Sequence, residues 1–283
     1  MSDLVGYLLT GLGIGSGFAL VASGLVAIHR VTRVVNFAQG AFAVLAAMLT
    51  STLLAAGLPH GLAEVGGVAL GAAAGLLTGL IVLGPRRDSP GTTPGTALIV
   101  TLGLGVLAYA IEVLIWGDQP RSFPGVPGVA EIASARVPAH YLLIIGVAAP
   151  VFLLMALFFA RTDLGKALSA CASNRYAARV VGIDVRRMGL LAFALGGALG
   201  GLAGVLTTPV QQVTFDSDVT LIVNGFAAAV LGGLTRPVVA LGGGLLLGVT
   251  QTLAAGYGGG AYQVEVALVL MLTVMIVQAA RAR

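Results

Sequence analysis

The residues that could perform catalysis are few, and their spacing matches no catalytic arrangement. His29, His60 and His140 lie far apart, so they form no paired-histidine zinc motif. The single cysteine, Cys171, excludes both an internal disulfide and a cysteine metal cluster. The stretch 165–167 (Gly-Lys-Ala) lacks the spacing and the hydroxyl of a phosphate-binding loop. We therefore predict no catalytic residue, no metal site and no nucleotide hydrolysis by this chain.

Three glutamates within or beside apolar segments are the remaining ionisable candidates. Glu64, Glu112 and Glu265 lie toward the predicted outer ends of their segments. Intramembrane ionisable groups are functional candidates by default, but this position favours simple solvation at the membrane interface. No acid lies near the middle of a predicted helix, which weakens a proton- or sodium-coupled carrier. An intramembrane enzyme is also disfavoured.

The composition indicates a membrane protein. Of 283 residues, 58% are hydrophobic and only 9% are charged, whereas a soluble domain has about 25% charged residues. This excludes a soluble enzyme, a nucleic-acid-binding module and a disordered chain. The apolar runs are continuous rather than alternating, which argues against an outer-membrane barrel. We expect an all-α, polytopic transmembrane bundle, with 1–283 forming a single domain.

Uncharged runs predict eight or nine spanning or partly spanning helices. The predicted helices lie near 4–28, 38–56, 62–83, 96–116, 141–160, 188–208, 221–235, 238–256 and 262–279. The segment 221–235 is short and precedes Arg236 and Pro237, so it is also interpreted as a re-entrant segment, which leaves eight. The N-terminus lacks a basic region, and the first helix is therefore expected to remain as a spanning segment.

The basic residues predict the orientation. The loop 161–187 holds the largest group of them, which places it in the cytoplasm by the positive-inside rule. The N-terminus is then outside and the C-terminus inside. Of the 15 basic residues, only Arg121 and Arg136 fall outside. The basic excess therefore sets topology and requires no nucleic acid partner.

The 42 glycines are about twice the usual fraction of ~7%, and many recur at intervals of four residues. Such spacing lets helix backbones approach closely in lipid. The repeats are Gly67, Gly71, Gly75 and Gly79; Gly196, Gly200 and Gly204; and the pairs Gly11/Gly15, Gly13/Gly17 and Gly244/Gly248. We predict helix–helix packing at these positions.

The loop 161–187 also contains a candidate docking helix. It is rich in alanine, and Arg175 and Arg179 are four residues apart, which predicts a short helix that ends at Gly182. A small, basic cytoplasmic helix between two spans suits docking into a groove on a partner protein. A solvated surface loop is the alternative.

The motif Asn-Arg-x-Ala-Ala-Arg-x-x-Gly-Ile at 174–183 resembles the coupling loop of ABC importer permeases of the branched-chain amino acid family, H-type subunit. The stretches 34–40, 193–206 and 224–234 resemble other parts of that family in the same order. The chain departs from the family at 39–41, which reads Gln-Gly-Ala where His-Gly-Glu is common. Asn174 replaces a frequent aspartate.

This resemblance implies a complex in a prokaryotic inner membrane, with two permeases, two ABC ATPases and an extracytoplasmic substrate-binding protein. The second permease is either a copy or a related chain. ATP and Mg²⁺ would be bound by the ATPases, with no cofactor in this chain. The residues expected to couple to the ATPases are Ala170, Asn174, Arg175, Ala177, Ala178, Arg179, Gly182, Ile183 and Asp184.

Sparse polar residues are the candidates for a substrate pathway suited to a small zwitterion with an apolar side chain. They are Asn36, Gln39, Gly40, Thr101 and Asn224, for which hydrogen bonding between helices is the alternative. The outer loop 208–220 is the candidate docking surface for the binding protein, although plain hydration explains it equally well. Its polar residues are Gln211, Gln212, Asp216 and Asp218.

Two other functions stay open. Relatives in the same family carry urea or short amides, and the departures at 39–41 and Asn174 leave the substrate undetermined. A self-contained channel or facilitator for a small neutral solute also needs apolar helices packed through glycine.

Overall fold

The computed structural model describes residues 2–84, 93–234, 236–258, 265, 268–274 and 276. Arg86, Arg87, Arg281, Arg283 and much of the predicted helix 262–279 lie outside the described residues. The elements are α1 (Ser2–Thr32), α2 (Gln39–Ala55), α3 (Leu62–Leu83), α4 (Pro94–Trp116), β1 (Val129–Ile132), β2 (Ala135–Pro138), α5 (Ala139–Arg161), α6 (Asp163–Ser173), α7 (Arg175–Val180), α8 (Val185–Thr207), α9 (Ser217–Leu231) and α10 (Ala240–Gly258).

The predicted helical bundle is confirmed. Within the described residues, five helices (α1, α3, α4, α5 and α8) are long and apolar enough to cross a membrane. The apolar helices α2, with 17 residues, and α9, with 15 residues, are shorter than the roughly 20 residues of a full span. The number of spans and the orientation remain predictions. In the part of the chain that the structure describes, the antiparallel hairpin β1–β2 is the departure from an all-α fold.

Glycines bring α3 and α8 into backbone contact. A Cβ atom added at Gly71 would lie 2.7 Å from the carbonyl oxygen of Gly197, and one at Gly75 would lie 3.0 Å from the Gly197 Cα. On another face of α8, a Cβ at Gly196 would lie 2.5 Å from Ile28 of α1. These separations leave no room for a side chain, so the predicted packing role of the glycine repeats is confirmed.

Helices α1 and α10 are also in backbone contact at glycines. A Cβ at Gly15 would lie 2.7 Å from the Gly244 carbonyl oxygen, and one at Gly11 would lie 2.7 Å from the Cα of Val249. Both helices therefore approach at the predicted repeats Gly11/Gly15 and Gly244/Gly248. In lipid this approach replaces the hydrophobic drive that holds soluble helices together.

A buried histidine stabilises one end of the bundle, here called the hairpin end, which comprises 117–138 and 208–216. The N–H of Val126 donates to Nδ1 of His140 at 3.1 Å, so Nε2 carries the proton and donates to the Leu206 carbonyl at 2.9 Å. His140 is 8% exposed. The ring is covered by α8 and by the loop after α4.

The opposite end, called the α6–α7 end, gathers the basic residues that the sequence assigns to one side. Arg33 donates a hydrogen bond to the Ala172 carbonyl of α6, and Arg30 lies beside Arg236. Arg186 donates to the Gly84 carbonyl, which follows α3. Arg121 and Arg136 lie instead at the hairpin end. The grouping of these charges therefore agrees with the predicted sides.

The glycine contacts predict a difference between two alanine substitutions. Gly197→Ala places a methyl group against the α3 backbone at Gly71 and Gly75, so α3 and α8 must separate at a cost of about 1–3 kcal/mol. A Cβ at Gly146 of α5 has no neighbour within 4 Å, and Gly146→Ala should retain or raise stability because alanine favours helix. The check is the Tm of each variant purified in detergent. Equal Tm values would contradict the packing role.

Candidate functional site

The connection between α1 and α2 enters the interior of the bundle. Residues 33–38 are not helical, and α2 begins at Gln39, which is fully buried. The Nε2 of Gln39 donates to the carbonyl of Gly196, in the middle of α8, at 2.7 Å. A Cβ at Gly24 of α1 would collide with the same Nε2. The first turn of α2 therefore lies at the level of the middle of α8, as in the discontinuous helices of transporters.

Three of the predicted pathway residues form one buried hydrogen-bond network, here called the amide turn (Asn36, Gln39 and Thr101). The Oδ1 of Asn36 accepts from the Ala38 N–H at 3.2 Å, and its Nδ2 donates to Gln39 Oε1 at 3.4 Å. The Thr101 hydroxyl accepts from the Phe37 N–H at 3.3 Å. Much of their bonding capacity therefore serves the turn itself, which favours the interhelical alternative for these residues.

The predicted pathway residue Gly40 joins two short helices. A Cβ on Gly40 would collide with the backbone carbonyl of Asp218, in the first turn of α9. The starts of α2 and α9 are thus in backbone contact inside the bundle. Phe37 and Phe226 extend this contact, with ring centroids 6.5 Å apart.

Asn224 belongs to a different polar group. Its Oδ1 accepts from Gln251 Nε2 at 2.7 Å, and its own Nδ2 donates to the Thr220 carbonyl at 2.9 Å. Asn224 and Gln251 are each 5% exposed, and they link α9 to α10. The sequence analysis missed Gln251, although it is a polar residue within the predicted helix 238–256 and the rule that selected Asn224 applies to it.

This amide pair borders a cavity of about 270 Å³ between α1, α8, α9 and α10, here called the polar cavity. Its volume lies just below the usual range of roughly 300–1,000 Å³ for small-molecule sites. The lining comprises Ile14, Phe18, Gly204, Thr207, Thr208, Gln211, Gln212, Val213, Ser217, Thr220, Leu221, Asn224, Gln251 and Thr252.

The predicted docking residues of the 208–220 loop separate into two groups. Gln211 and Gln212 are exposed and line the polar cavity. Asp216 accepts from the Thr214 hydroxyl, and Asp218 accepts from the Val219 N–H at 2.7 Å, so these acids also order the start of α9.

The predicted short helix with Arg175 and Arg179 is α7, and the loop 161–187 also contains α6, which ends at Ser173 just before Asn174. The Asn174 Oδ1 accepts from the Ala177 N–H at 3.0 Å and caps α7. Gly182 follows α7 with φ +85°, and its N–H donates to the Arg179 carbonyl at 3.0 Å. The chain breaks because an asparagine side chain competes with helical hydrogen bonds.

One face of the α6–α7 segment is attached to the bundle. Ala178 is 3% exposed and packs in the apolar cluster that contains Leu168 and Val185. The Arg33 Nη2 donates to the Ala172 carbonyl at 3.2 Å, which connects α6 to the chain between α1 and α2. Burial lowers the pKa of Arg175, and the positive charges of Arg33 and Arg179 lower it further.

The remaining predicted coupling residues lie around this attachment. Ala170 and Ile183 are half-buried beside the apolar cluster, and Ala177 is exposed on α7. Asp184 caps α8 by accepting from the Arg187 N–H at 3.1 Å. These four positions therefore do not form one continuous surface.

The opposite face of α7 exposes large apolar side chains that the sequence analysis missed. Tyr176 is 78% exposed and Val180 is 70% exposed, and the two are four residues apart on one helix face. Val181 is exposed beside them. The four-residue spacing of Tyr176 and Val180 within the basic loop could have predicted this apolar face from the sequence.

Glu112 is a correction to the sequence analysis. It is fully buried, and neither carboxylate oxygen has a hydrogen-bond partner among the described residues. The nearby acid is Asp218, across the start of α9. Interfacial solvation is therefore wrong for Glu112, because its side chain is buried within the protein. Glu64 does lie at the surface, where it meets His60 at 2.8 Å.

Comparison with known proteins identifies the family. Residues 7–279 match the family described as branched-chain amino acid transport system, permease component. The chain belongs to this permease family. The permease is 26% identical over 286 residues to the high-affinity branched-chain amino acid transport system permease protein LivH of Escherichia coli K12, covering 95% of this chain and 92% of the relative.

A second relative has a different cargo in its name. The autoinducer 2 import system permease protein LsrC of Klebsiella pneumoniae is 33% identical over 214 residues, covering 72% of this permease and 54% of the relative. A solved chain of PsaBC from Streptococcus pneumoniae in complex with Fab has a TM-score of 0.55 at 15% identity, covering 95% of the permease and 90% of that chain. At this identity the solved chain shows the fold alone.

The amide turn predicts that the Thr101 hydroxyl stabilises the start of α2. Thr101→Val keeps the shape but leaves the half-buried Phe37 N–H without this acceptor, which costs about 1 kcal/mol or more. Thr101→Ser retains the oxygen and serves as the control. Thermal unfolding in detergent should give a lower Tm for the valine variant than for the serine variant. A higher Tm for the valine variant than for the serine variant would contradict a stabilising role of the Thr101 hydroxyl.

Proposed function

We propose that the chain is the membrane permease subunit of an ATP-driven importer for branched-chain or other small, largely apolar amino acids. Family membership over residues 7–279 and five membrane-length helices support a transport subunit. Its partners would be a second permease, two ABC ATPases and an extracytoplasmic binding protein, in the inner membrane of a prokaryote. ATP and Mg²⁺ would be bound by the ATPases, with no cofactor in this chain.

The observation that carries the proposed coupling is the exposed face of α7. Tyr176 and Val180 extend from a short helix whose buried side is attached through Ala178. Aromatic and aliphatic anchors on a rigid element suit insertion into a groove on a partner. The basic residue Arg179 lies beside them, exposed, where it would meet acidic groups of an ATPase.

The distribution of charge supports the orientation that this coupling needs. The α6–α7 end holds most of the described basic residues, and the positive-inside rule places such an end in the cytoplasm. The hairpin end would then face the binding protein through Gln211, Gln212, Asp216 and Asp218. ATP-driven closure of the ATPases would press on α6 and α7 and rock the attached helices between two states.

An acid on the exposed face of α7 should weaken association with the ATPases. Val180→Asp introduces a charge at a 70% exposed apolar position, and we expect about tenfold or more weaker co-purification of the ATPases. Val219→Asp is the matched control, since Val219 is 60% exposed on α9, near the hairpin end. Equal retention of the ATPases by both variants would contradict the docking assignment.

Transport by purified components separates the importer from a channel. Proteoliposomes with the complete complex should accumulate L-leucine only with ATP and binding protein, because this chain has no phosphate-binding loop. Liposomes with this chain alone serve as the control. Equilibration of L-leucine or urea by the chain alone would overturn the importer and favour a facilitator.

A further inference from the structure

The polar cavity combines hydrogen-bonding groups with a small apolar surface and, among the described residues, is lined by no charged side chain. Ile14 and Phe18 of α1, Leu221 of α9 and Val213 in the preceding loop form its apolar part. Threonine, serine, asparagine and glutamine side chains form the rest. Transfer of a net charge from water into such a site would lack a compensating opposite charge. The cavity therefore suits a solute with no net charge.

The deeper wall of the cavity presents acceptors. The hydroxyls of Thr207, Thr208 and Thr252 donate to carbonyls of their own chain at 2.7–2.8 Å, which leaves oxygen lone pairs as their free capacity. Gln251 uses its Nε2 on Asn224, and its Oε1 has no hydrogen-bond partner among the described residues. These oxygens match a solute group rich in N–H donors, such as an ammonium.

The exposed side of the cavity presents side chains that can donate. Gln211 and Gln212 are exposed there, and each carries an amide NH₂ group. A carboxylate is acceptor-only and pairs with such groups. Donors at the exposed side and acceptors at the buried side, with an apolar patch between α1 and α9, match the three parts of an aliphatic amino acid.

We propose that the polar cavity is a solute site of this permease and holds a small zwitterionic amino acid. The ammonium would meet the acceptors at Gln251, Thr207 and Thr252, the carboxylate would face Gln211 and Gln212, and the aliphatic side chain would lie on Ile14, Phe18 and Leu221. This inference rests on the proposed importer function. It adds the location of the solute and the groups that recognise it.

Two neighbouring threonines on α10 provide a matched test of location. Thr252 lines the cavity, whereas Thr250 does not, and each hydroxyl donates to the carbonyl four residues earlier. In proteoliposomes with the complete complex, Thr252→Phe should lower ATP-driven L-leucine uptake about tenfold by filling the site, and Thr250→Phe should leave it within about twofold. Equal uptake by the two variants would overturn the location.

Labelling by a membrane-impermeant thiol reagent tests the solute class in the same complex. The variants are Thr252→Cys and, as the control outside the cavity, Thr10→Cys near the same end of the bundle, both with Cys171→Ser. L-leucine should slow labelling of Thr252→Cys and not of Thr10→Cys. 4-Methylpentanoate, which lacks the ammonium, should not slow it. Protection by 4-methylpentanoate or by urea would overturn the zwitterion assignment.

The failure of this inference differs from failure of the proposed function. If the wild-type complex accumulates L-leucine with ATP, but filling the cavity has no effect and L-leucine gives no protection, the polar cavity is not the site. The importer then stands. If the wild-type complex accumulates no L-leucine, the proposed substrate class fails, and the cavity assignment fails with it.

Discussion

Direct contact between helix backbones is the constraint on which this structure depends. In lipid there is little hydrophobic driving force for apolar helices to associate, so the attraction between them must come from close packing. The central helix α8 meets three neighbours in this way: Gly196 faces α1, Gly197 faces α3, and Gly204 faces the α2 backbone at Ala43. Because these glycines have no side chains, α1, α2 and α3 can all approach the α8 backbone closely.

The same packing lets irregular backbone exist inside the bundle. Unpaired backbone groups are costly in a membrane interior unless protein covers them and supplies partners. The chain before α2 satisfies this requirement through the amide turn, and the start of α9 is covered by Gly40. Two short helices can therefore begin within the molecule. Polar chemistry is then concentrated beside them rather than spread along the spans.

Long apolar runs and glycine repeats were sufficient to predict most helices, because both depend on local composition and spacing. The grouping of the polar residues was not predictable in the same way. Asn36 and Asn224 were assigned to one pathway, yet they lie in separate networks, and Gln251 completes the second. The burial of Glu112 depends on which helix covers α4. Such contacts arise from tertiary packing, which single-residue spacing does not contain.

The hydrogen bond from Arg33 to Ala172 has a mechanical consequence. Arg33 has φ +61°, a left-handed conformation that non-glycine residues seldom adopt, and it directly follows α1. The residue thus joins α6 on one side and, through the next few residues, Gln39 and the centre of α8 on the other. The bond is 3.2 Å long, so a displacement of α6 by about 1 Å either breaks it or drags the start of α2 along. This arginine is a short tether between the surface of the molecule and its interior.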